Sequence, residues 1–526
     1  MRTPEAQRNM VGRRRLLATA AVAGAGVALV EPGTALAAPR SFTTTTSTVA
    51  TPTSSPDPLH LLRRATYGRT PDNEAELRSL GVSAWLDRQL DPRSIDDSAC
   101  DAIVARFPLV SLDITGVRKA VKKGAWDAMQ QLGTAAVARA CWSRRQLFEV
   151  MVDFWSNHLN VTCPSSDVWD SRPDYDRTVI RAHALGRFAD MLKASATHPA
   201  MLSYLDNRVS TKDKPNENYG RELMELHTVG LNYTEADVKQ AAILLTGRTV
   251  DAATGLYRYD AAKHATGAVA ILGFQSANAT AADGEKAGTA FLDHLAMHPK
   301  TAERIATKLC IRFVADEPPA GLVTTLAKVY LDNRTAIAPV LRALFTSAEF
   351  AKAANAKVKT PLEDIAGTVR ILGLGPDAAG TNGAGTDGIR ALYQILEKTG
   401  HGPMRWEPPN GYPDVAAAWA SPSGFLVRWN AHLNLAAGWY PKQLTRTTPL
   451  LNRLVPGALP ATYGALVETV VKSLVGTAPK PEHTAALTQF FGKKPIDPLK
   501  AKDQAVTGKF PHLVALVLDA PMFQVR

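Results

Sequence analysis

From Leu59 onward apolar residues return every three or four positions with few interruptions, a spacing that lines one face of an α-helix and leaves little room for other elements. The period holds over residues 72–89, 133–161, 176–197, 217–229, 234–246, 287–313 and 318–346, and continues in further segments toward Arg526. Strict alternation, the mark of a half-buried strand, is confined to residues 249–259 and a short return near 268–273. The expected fold class is therefore all-α, a multi-helix array or bundle with a small inserted β-hairpin.

The region ahead of Leu59 has a different character. Gly12-Arg-Arg-Arg-Leu-Leu17 opens an apolar run that ends at Val30, where Glu31-Pro-Gly33 breaks it. That run is short of the ~20 apolar residues a membrane-crossing helix needs, so it reads as a signal rather than an anchor. The paired arginines ahead of Leu16-Leu17 fit a twin-arginine signal, with Gly12 and Leu16 departing from its usual Ser and Phe. Ala35-Leu-Ala37 places small residues where a signal peptidase reads, which predicts cleavage before Ala38 and no transmembrane anchor afterwards. Export by this route carries folded cargo and places the protein in the cell envelope or outside the cell. Residues 41–58, rich in Ser, Thr and Pro, hold too few large apolar side chains for a core and read as a tether. The expected organisation is a signal over 1–37, a linker over 38–58, a helical core with the candidate site over 59–372, a Gly/Ala-rich loop over 373–388 and a C-terminal helical lobe over 389–526.

Net charge and cysteines narrow the partners. The formal charge is +11, of which the segment to Ala37 carries +3 (five Arg against Glu5 and Glu31), leaving +8 on the rest. Lysines and arginines are interleaved with acids and form no stripe that would track phosphates, so nucleic acid is not expected. A cell-wall or extracellular glycan suits an exported, mildly cationic protein better. Cys100, Cys141, Cys163 and Cys310 have no CxxC spacing, which argues against a cysteine-based zinc site and permits one or two disulfides.

The densest polar string lies in residues 216–228. On a helical wheel Glu217, Asn218, Arg221, Glu222, Glu225 and Thr228 share one arc, with Tyr219, Leu223, Met224 and Leu226 on the rest. Glu222 and Glu225, three apart, point from one face, and Arg221 stands at the four-residue spacing from Glu225 that lets side chains meet. Adjacent carboxylates split their pKa values into an acid and a base, or hold a divalent cation through oxygen. The plainer reading of the arc is a solvated face with one ion pair. His227 falls in the apolar arc, and His158 lies among Met151, Phe154 and Trp155 on a helix whose polar side is Glu149, Asp153, Ser156 and Asn160. Each His reads singly as a hydrogen-bonded core residue. With no HxxxH or HExxH spacing, a metal site would have to be assembled from several helices, and His158, His183 and Asp206 are its candidate ligands, with His198 nearby in sequence. No nucleophile elbow or phosphate-cradling glycine motif occurs. Trp406, Trp419, Trp429 and Trp439 crowd around Pro408–Pro413 with Tyr412 and Tyr440. Trp406, Tyr412, Asn410 and Arg405 are the candidate substrate-binding groups if the aromatics carry sugar rings, and packing of the loop is the other use for them.

Several strings occur together in order: His60-Leu-Leu-Arg-Arg-Ala65, Phe154-Trp-Ser-Asn-His158, His183-Ala-Leu-Gly186, the segment from His198 to Asn207, the segment from Asn216 to Thr228, Tyr233-Thr-Glu-Ala-Asp237, Leu245-Thr-Gly247, His298-Pro299 with Lys308, and Pro408-Pro-Asn-Gly-Tyr-Pro413. In these the chain resembles the bacterial family called domain of unknown function 1800, from about Leu59 to the end. The resemblance implies an exported protein, often encoded beside members of domain of unknown function 1501, which resemble alkaline-phosphatase-like hydrolases; such a protein is the expected partner besides glycan. Around His264 the family pattern His-Asp-x-Gly-x-Lys is broken here by Ala265 and Val269.

The leading expectation is an exported envelope enzyme, hydrolase-like or glycan-modifying, with Glu222 and Glu225 as acid/base or metal-binding carboxylates and with Arg221 and Asn218 orienting them or meeting an anionic substrate. The cofactor is undetermined, a divalent metal being the one the carboxylates admit. The alternatives are a noncatalytic envelope protein that binds glycan or protein, and a redox metalloprotein.

Overall fold

Helical periodicity survives across positions where the backbone itself leaves the helix, so the long apolar runs resolve into pairs of helices. A computed structural model describes residues 56–378 and 385–526; the signal segment 1–37 and all but the end of the 38–58 linker lie outside the described residues. After α1 (Pro58–Ala65), the run 72–89 breaks at Gly81, whose φ of 76° separates α2 (Pro71–Leu80) from α3 (Val82–Leu90). The run 133–161 divides into α4 (Asp127–Trp142) and α5 (Gln146–His158) where Asp97 captures the Ser143 hydroxyl at 2.7 Å and the Arg144 amide at 2.7 Å. The run 176–197 becomes a π-helical turn, Asp176–Arg181, followed by α6 (Phe188–Thr197). Next come α7 (Glu217–Glu222), which runs into a second π-helical turn, Leu223–His227, and α8 (Glu235–Leu244). The run 287–313 splits at His298-Pro299 into α9 (Gly284–Met297) and α10 (Pro299–Phe313): proline cannot donate to the preceding turn, and His298 caps the new helix through its ring nitrogen. The run 318–346 splits likewise into α11 (Ala320–Asp332) and α12 (Ile337–Phe345) at Arg334 and Thr335, which have positive φ.

The β content is small, as the expected fold class requires. Strands β1 (Arg248–Val250) and β2 (Tyr257–Tyr259) pair antiparallel, Arg248 opposite Tyr259. The return near 268–273 does not add to that hairpin. It supplies β3 (Val269–Ile271), which pairs with β4 (Phe274–Ser276) across Leu272 and Gly273. Both turn residues have positive φ, 50° and 84°, the geometry that closes a two-residue hairpin with the twist strands prefer.

The helix α13 (Pro361–Leu372) is the axis of the fold, because every residue in it except Arg370 is buried. It packs on α4 and on two later helices, α14 (Asp387–Lys398), which starts at the end of the 373–388 segment, and α15 (Pro422–Ala437). Within that segment β5 (Leu374–Asp377) pairs with β6 (Leu444–Arg446), and α16 (Tyr463–Val475) and α17 (Phe510–Asp519) complete the packing. Residues of 59–372 and of 389–526 thus share one hydrophobic core, within one compact unit. All four cysteines are buried free thiols. Among the described residues no helix is long and apolar enough to cross a membrane.

Two acids at the start of α13 organise buried charge. Glu363 completes a capping box with Thr360 and meets Arg526 at 2.7 Å and Arg312 at 3.0 Å. Asp414 adds contacts to Arg312 at 3.5 Å and Lys357 at 3.3 Å, and Lys357 also reaches Asp316 at 2.5 Å. Asp364, fully buried, faces His432 at 3.2 Å, and the other ring nitrogen of His432 lies 2.6 Å from Asp519. Burial works against a charged imidazole there, but the two carboxylates overcome it and raise His432 to about 9. A histidine whose pKa is about 6.5 when unfolded then stabilises the fold fully below that pH, and its contribution fades as pH rises through about 9. Denaturant melts of the full chain between pH 6 and 9.5 should show this loss, and His432→Gln should be less stable at pH 6 with the slope flattened.

Candidate functional site

The polar string of residues 216–228 folds against α8 through Gly220, where a Cβ would sit 3.3 Å from the Ala242 amide. Asn216 caps α7 by accepting from the Asn218 amide at 2.9 Å. The exposed Asn218 turns away from the carboxylates and donates to the Leu205 carbonyl at 3.3 Å. Asp206, exposed and at a φ of 59°, is in the same corner: its carbonyl accepts from Asn216 at 2.7 Å.

After Glu222 the helix widens into the π turn, and the extra residue displaces Glu225 from the position an ideal α-helix would give it. Arg221 accordingly does not pair with Glu225. It grips Glu235 with both guanidinium nitrogens at 2.7 Å and stands 3.9 Å from Glu217. Glu225 accepts a short hydrogen bond from the Tyr233 hydroxyl instead. Among the described residues no side chain bonds to Glu222, which is half-buried; burial and the Glu225 charge raise its carboxyl to about 7.

Beneath the carboxylates lies a group of cations and imidazoles. Arg304 of α10 donates to the Leu226 carbonyl at 3.2 Å, one turn before Lys308. Lys308 meets His158 Nδ1 at 3.1 Å, and His158 Nε2 lies 3.0 Å from the His227 carbonyl. A carbonyl only accepts, so Nε2 carries the proton and Nδ1 accepts from Lys308. Burial lowers the basicity of all three: Lys308 falls to about 7 and His227 to about 3, and His158 falls well below its usual range under burial and the neighbouring amine. The His158 ring packs on Trp155 and Phe188 with centroids 5.5 and 5.7 Å away, and the His227 ring is 6.4 Å off. Among the described residues neither Arg304 nor Lys308 forms an ion pair, although the Glu225 charge acts on Arg304.

The other candidate ligands stand apart from this group. His183 is half-buried and feels Asp190, and His198 bonds Asp174 at 3.1 Å while capping its helix. Among the described residues no three His, Cys, Asp or Glu side chains are grouped so as to hold a metal ion, so His158, His183 and Asp206 do not form a ligand set there. His264, buried, binds Asn278 at 2.8 Å and the Thr246 carbonyl at 3.0 Å, which ties the β1–β2 region to the β4 end.

The aromatic loop is held to the helical body by the polar residues of α5 and its end. Asn160 donates to the carbonyls of Trp406 at 2.9 Å and Pro408 at 2.8 Å, and Asn157 accepts from the Tyr412 amide at 3.1 Å. Trp406 donates to Asn410 at 2.8 Å and its ring tilts 47° to Tyr412, so these rings brace each other rather than forming a flat platform. Tyr412 is further fixed by the Gly402 carbonyl at 2.9 Å, and Arg405 pairs with Glu397 at 2.5 Å.

A small cavity of about 30 Å³ with polar side chains in its lining was not foreseen from sequence. Glu149, Asp153 and Ser156, the stripe on α5 that resembles a solvated face, point into it along with Arg139, Asp176 and Arg181. Arg181 holds Glu149 at 2.6 and 2.9 Å. Burial lifts Asp153 to about 6 against the pull of Arg312. Polar residues at helical spacing were the signal available; what neutralises them sits on other elements.

The loop has no slack over α5. Gly411 has a φ of 72°, and a Cβ there would lie 2.1 Å from the Asn157 carbonyl. Gly411→Ala should therefore displace the loop and cost roughly 2 kcal/mol or more, read as a lowered midpoint in chemical denaturation, with increased protease cleavage between Trp406 and Pro413.

No curated protein and no solved structure matches the chain. The model of a family described as protein of unknown function (DUF1800) matches residues 60–525, which takes in all three groups described above, the carboxylate pair, the cationic layer beneath it and the pinned loop. With nearly its whole length covered, this chain belongs to the DUF1800 family.

Proposed function

We propose that this is a protein exported by the twin-arginine route to the cell envelope, where it acts as a hydrolase-like or glycan-modifying enzyme that uses Glu222 as its proton donor. One observation carries the reading: Glu222 is a half-buried carboxyl with no bonding side chain among the described residues, three positions from a carboxylate that is engaged by Tyr233. The Glu225 charge beside Glu222 favours the protonated form of Glu222, as paired carboxylates do when one serves as an acid. In cleavage of a glycosidic bond, Glu222 would give its proton to the leaving oxygen while water adds its hydroxyl to the sugar carbon, and the water's remaining proton returns to the Glu222 carboxylate to restore the acid. The arginines before Leu16 and the moderate positive charge support the location and an anionic glycan as partner.

A second reading has its own support. Polar residues are spent inside the fold, in the Glu149–Arg181 pair and in the cluster of Arg312, Glu363, Arg526, Asp414 and Lys357, as a noncatalytic envelope protein would use them to fix helix packing. The two readings part at Glu222. If it is an acid, Glu222→Gln should lower release of reducing ends from purified cell-wall polysaccharide by about 100-fold or more with the melting temperature unchanged, and the wild-type rate should fall as pH rises through about 7. Full activity in a stably folded Glu222→Gln protein would remove the enzymatic reading, and a loss of stability with no activity in either protein would favour the second. Export has a separate check: replacing Arg13 and Arg14 by Lys should leave the uncleaved precursor in the cytoplasm in a fractionation blot.

A further inference from the structure

On the far side of Tyr67 from the polar cavity lies a second cavity of about 30 Å³, remote in sequence from the Glu222 region, with four cations in its lining. Arg63, Arg69, Lys359 and Arg526 border it against one acid, Glu363. Two of these cations are accounted for: Arg69 pairs with Glu74 at 3.2 Å and Arg526 with Glu363 at 2.7 Å. Arg63 has only neutral partners, Asn355 at 2.8 Å and the Val475 carbonyl at 2.7 Å. Lys359 has no hydrogen-bond acceptor or carboxylate among the described residues, although its side chain is buried to 8 % exposure. Its amine rests on the face of Phe523, 3.2 Å from the ring centre. The groups acting on it are Asp364 and Glu363 of α13, Arg63 of α1 and Arg526, and burial outweighs them all, lowering the amine to about 7.

Two glycines stand in the lining beside Lys359. Gly68 and Gly367 bring the turn after α1 and the middle of α13 into direct backbone contact: a Cβ on Gly68 would lie 2.9 Å from the Gly367 Cα, and one on Gly367 2.9 Å from the Tyr67 carbonyl. A buried amine without an acceptor, beside an arginine without a carboxylate, is costly in a closed core and is expected where an anion completes the group.

We propose that this cavity binds the oxyanion of a small ligand, a sulfate, phosphate or carboxylate group, with Lys359 as the central cation and Arg63 beside it. The probe is sodium sulfate, compared with sodium chloride at matched ionic strength on the full chain by isothermal calorimetry, with sodium glucuronate as a parallel arm. Saturable binding at one site by either anion is expected. Tighter sulfate identifies a tetrahedral anion such as a phosphoryl group, and tighter glucuronate a carboxylated sugar. Lys359→Met should weaken binding at least tenfold and Lys359→Arg should retain it. Should the Met variant fail to fold, reductive methylation of the wild-type protein, followed by peptide mass mapping, should show Lys359 protected by the bound anion. Absence of saturable binding by both anions, unchanged affinity in a folded Lys359→Met protein, or equal methylation with and without anion would overturn the proposal. None of these outcomes bears on the role of Glu222.

Discussion

Three cations and three acids meet in a buried cluster: Arg312 from α10, Glu363 from α13, Asp414 from the end of the aromatic loop, Arg526 from the chain end, and Lys357 with Asp316. Ionised side chains removed from water have steep requirements, since taking away any one leaves an uncompensated charge at a cost of about 3–5 kcal/mol. The net gain over an apolar core is small by the same reasoning. What the cluster supplies is selection, because only one arrangement of these four segments neutralises all of its members. The axis helix, the loop over α5 and the cavity beside Lys359 take their positions from it.

That loop shows how the constraint spreads. Asp414 fixes its far end, and Asn157 and Asn160 fix its middle, so the residues from Trp406 to Asp414 are held along their length by groups from separate parts of the chain. Pro403 and Met404, just before it, close the polar cavity above Glu149 and Asp153. The carboxylates of the π turn are placed differently. They stand at the surface above Arg304 and Lys308, whose charges are otherwise unmatched, so the acidic rim and the cationic layer beneath it are electrostatically complementary without direct pairing between Arg221 and Glu225.

Much of the fold was legible from periodicity, because burying an apolar stripe is a local demand that each helix expresses in its own residues. The breaks at Gly81 and at His298-Pro299 are likewise written in backbone chemistry. The break at Ser143 is not, since Asp97 makes it from a separate part of the chain. The π turn at Leu223–His227 has no propensity signature, which is why the wheel placed Arg221 beside Glu225 when its true partner is Glu235. On α5, pattern alone could not tell an inward polar stripe from a wet one: Glu149 and Asp153 look solvated until Arg181 and Arg139 are brought to them. The same limit held for His158, His227 and Lys308, each of which is ordinary in its own helix and becomes distinctive only through the other two.

The placement of α1 has a consequence for how such a chain reaches its native state. His60 bonds the Phe350 carbonyl at 2.8 Å, Arg64 the Ala353 carbonyl at 2.7 Å and Arg63 the Val475 carbonyl at 2.7 Å, while Val358 bridges to Val525. The first helix of the core is thus completed by residues synthesised hundreds of positions later, contacts whose closure is slower than that of local helical ones. Individual helices form early and locally, but the core closes only once the segment through Val525 has been synthesised. During synthesis the apolar face of α1 stays open for as long as the ribosome takes to reach Val525, a window in which chaperones would hold the nascent chain.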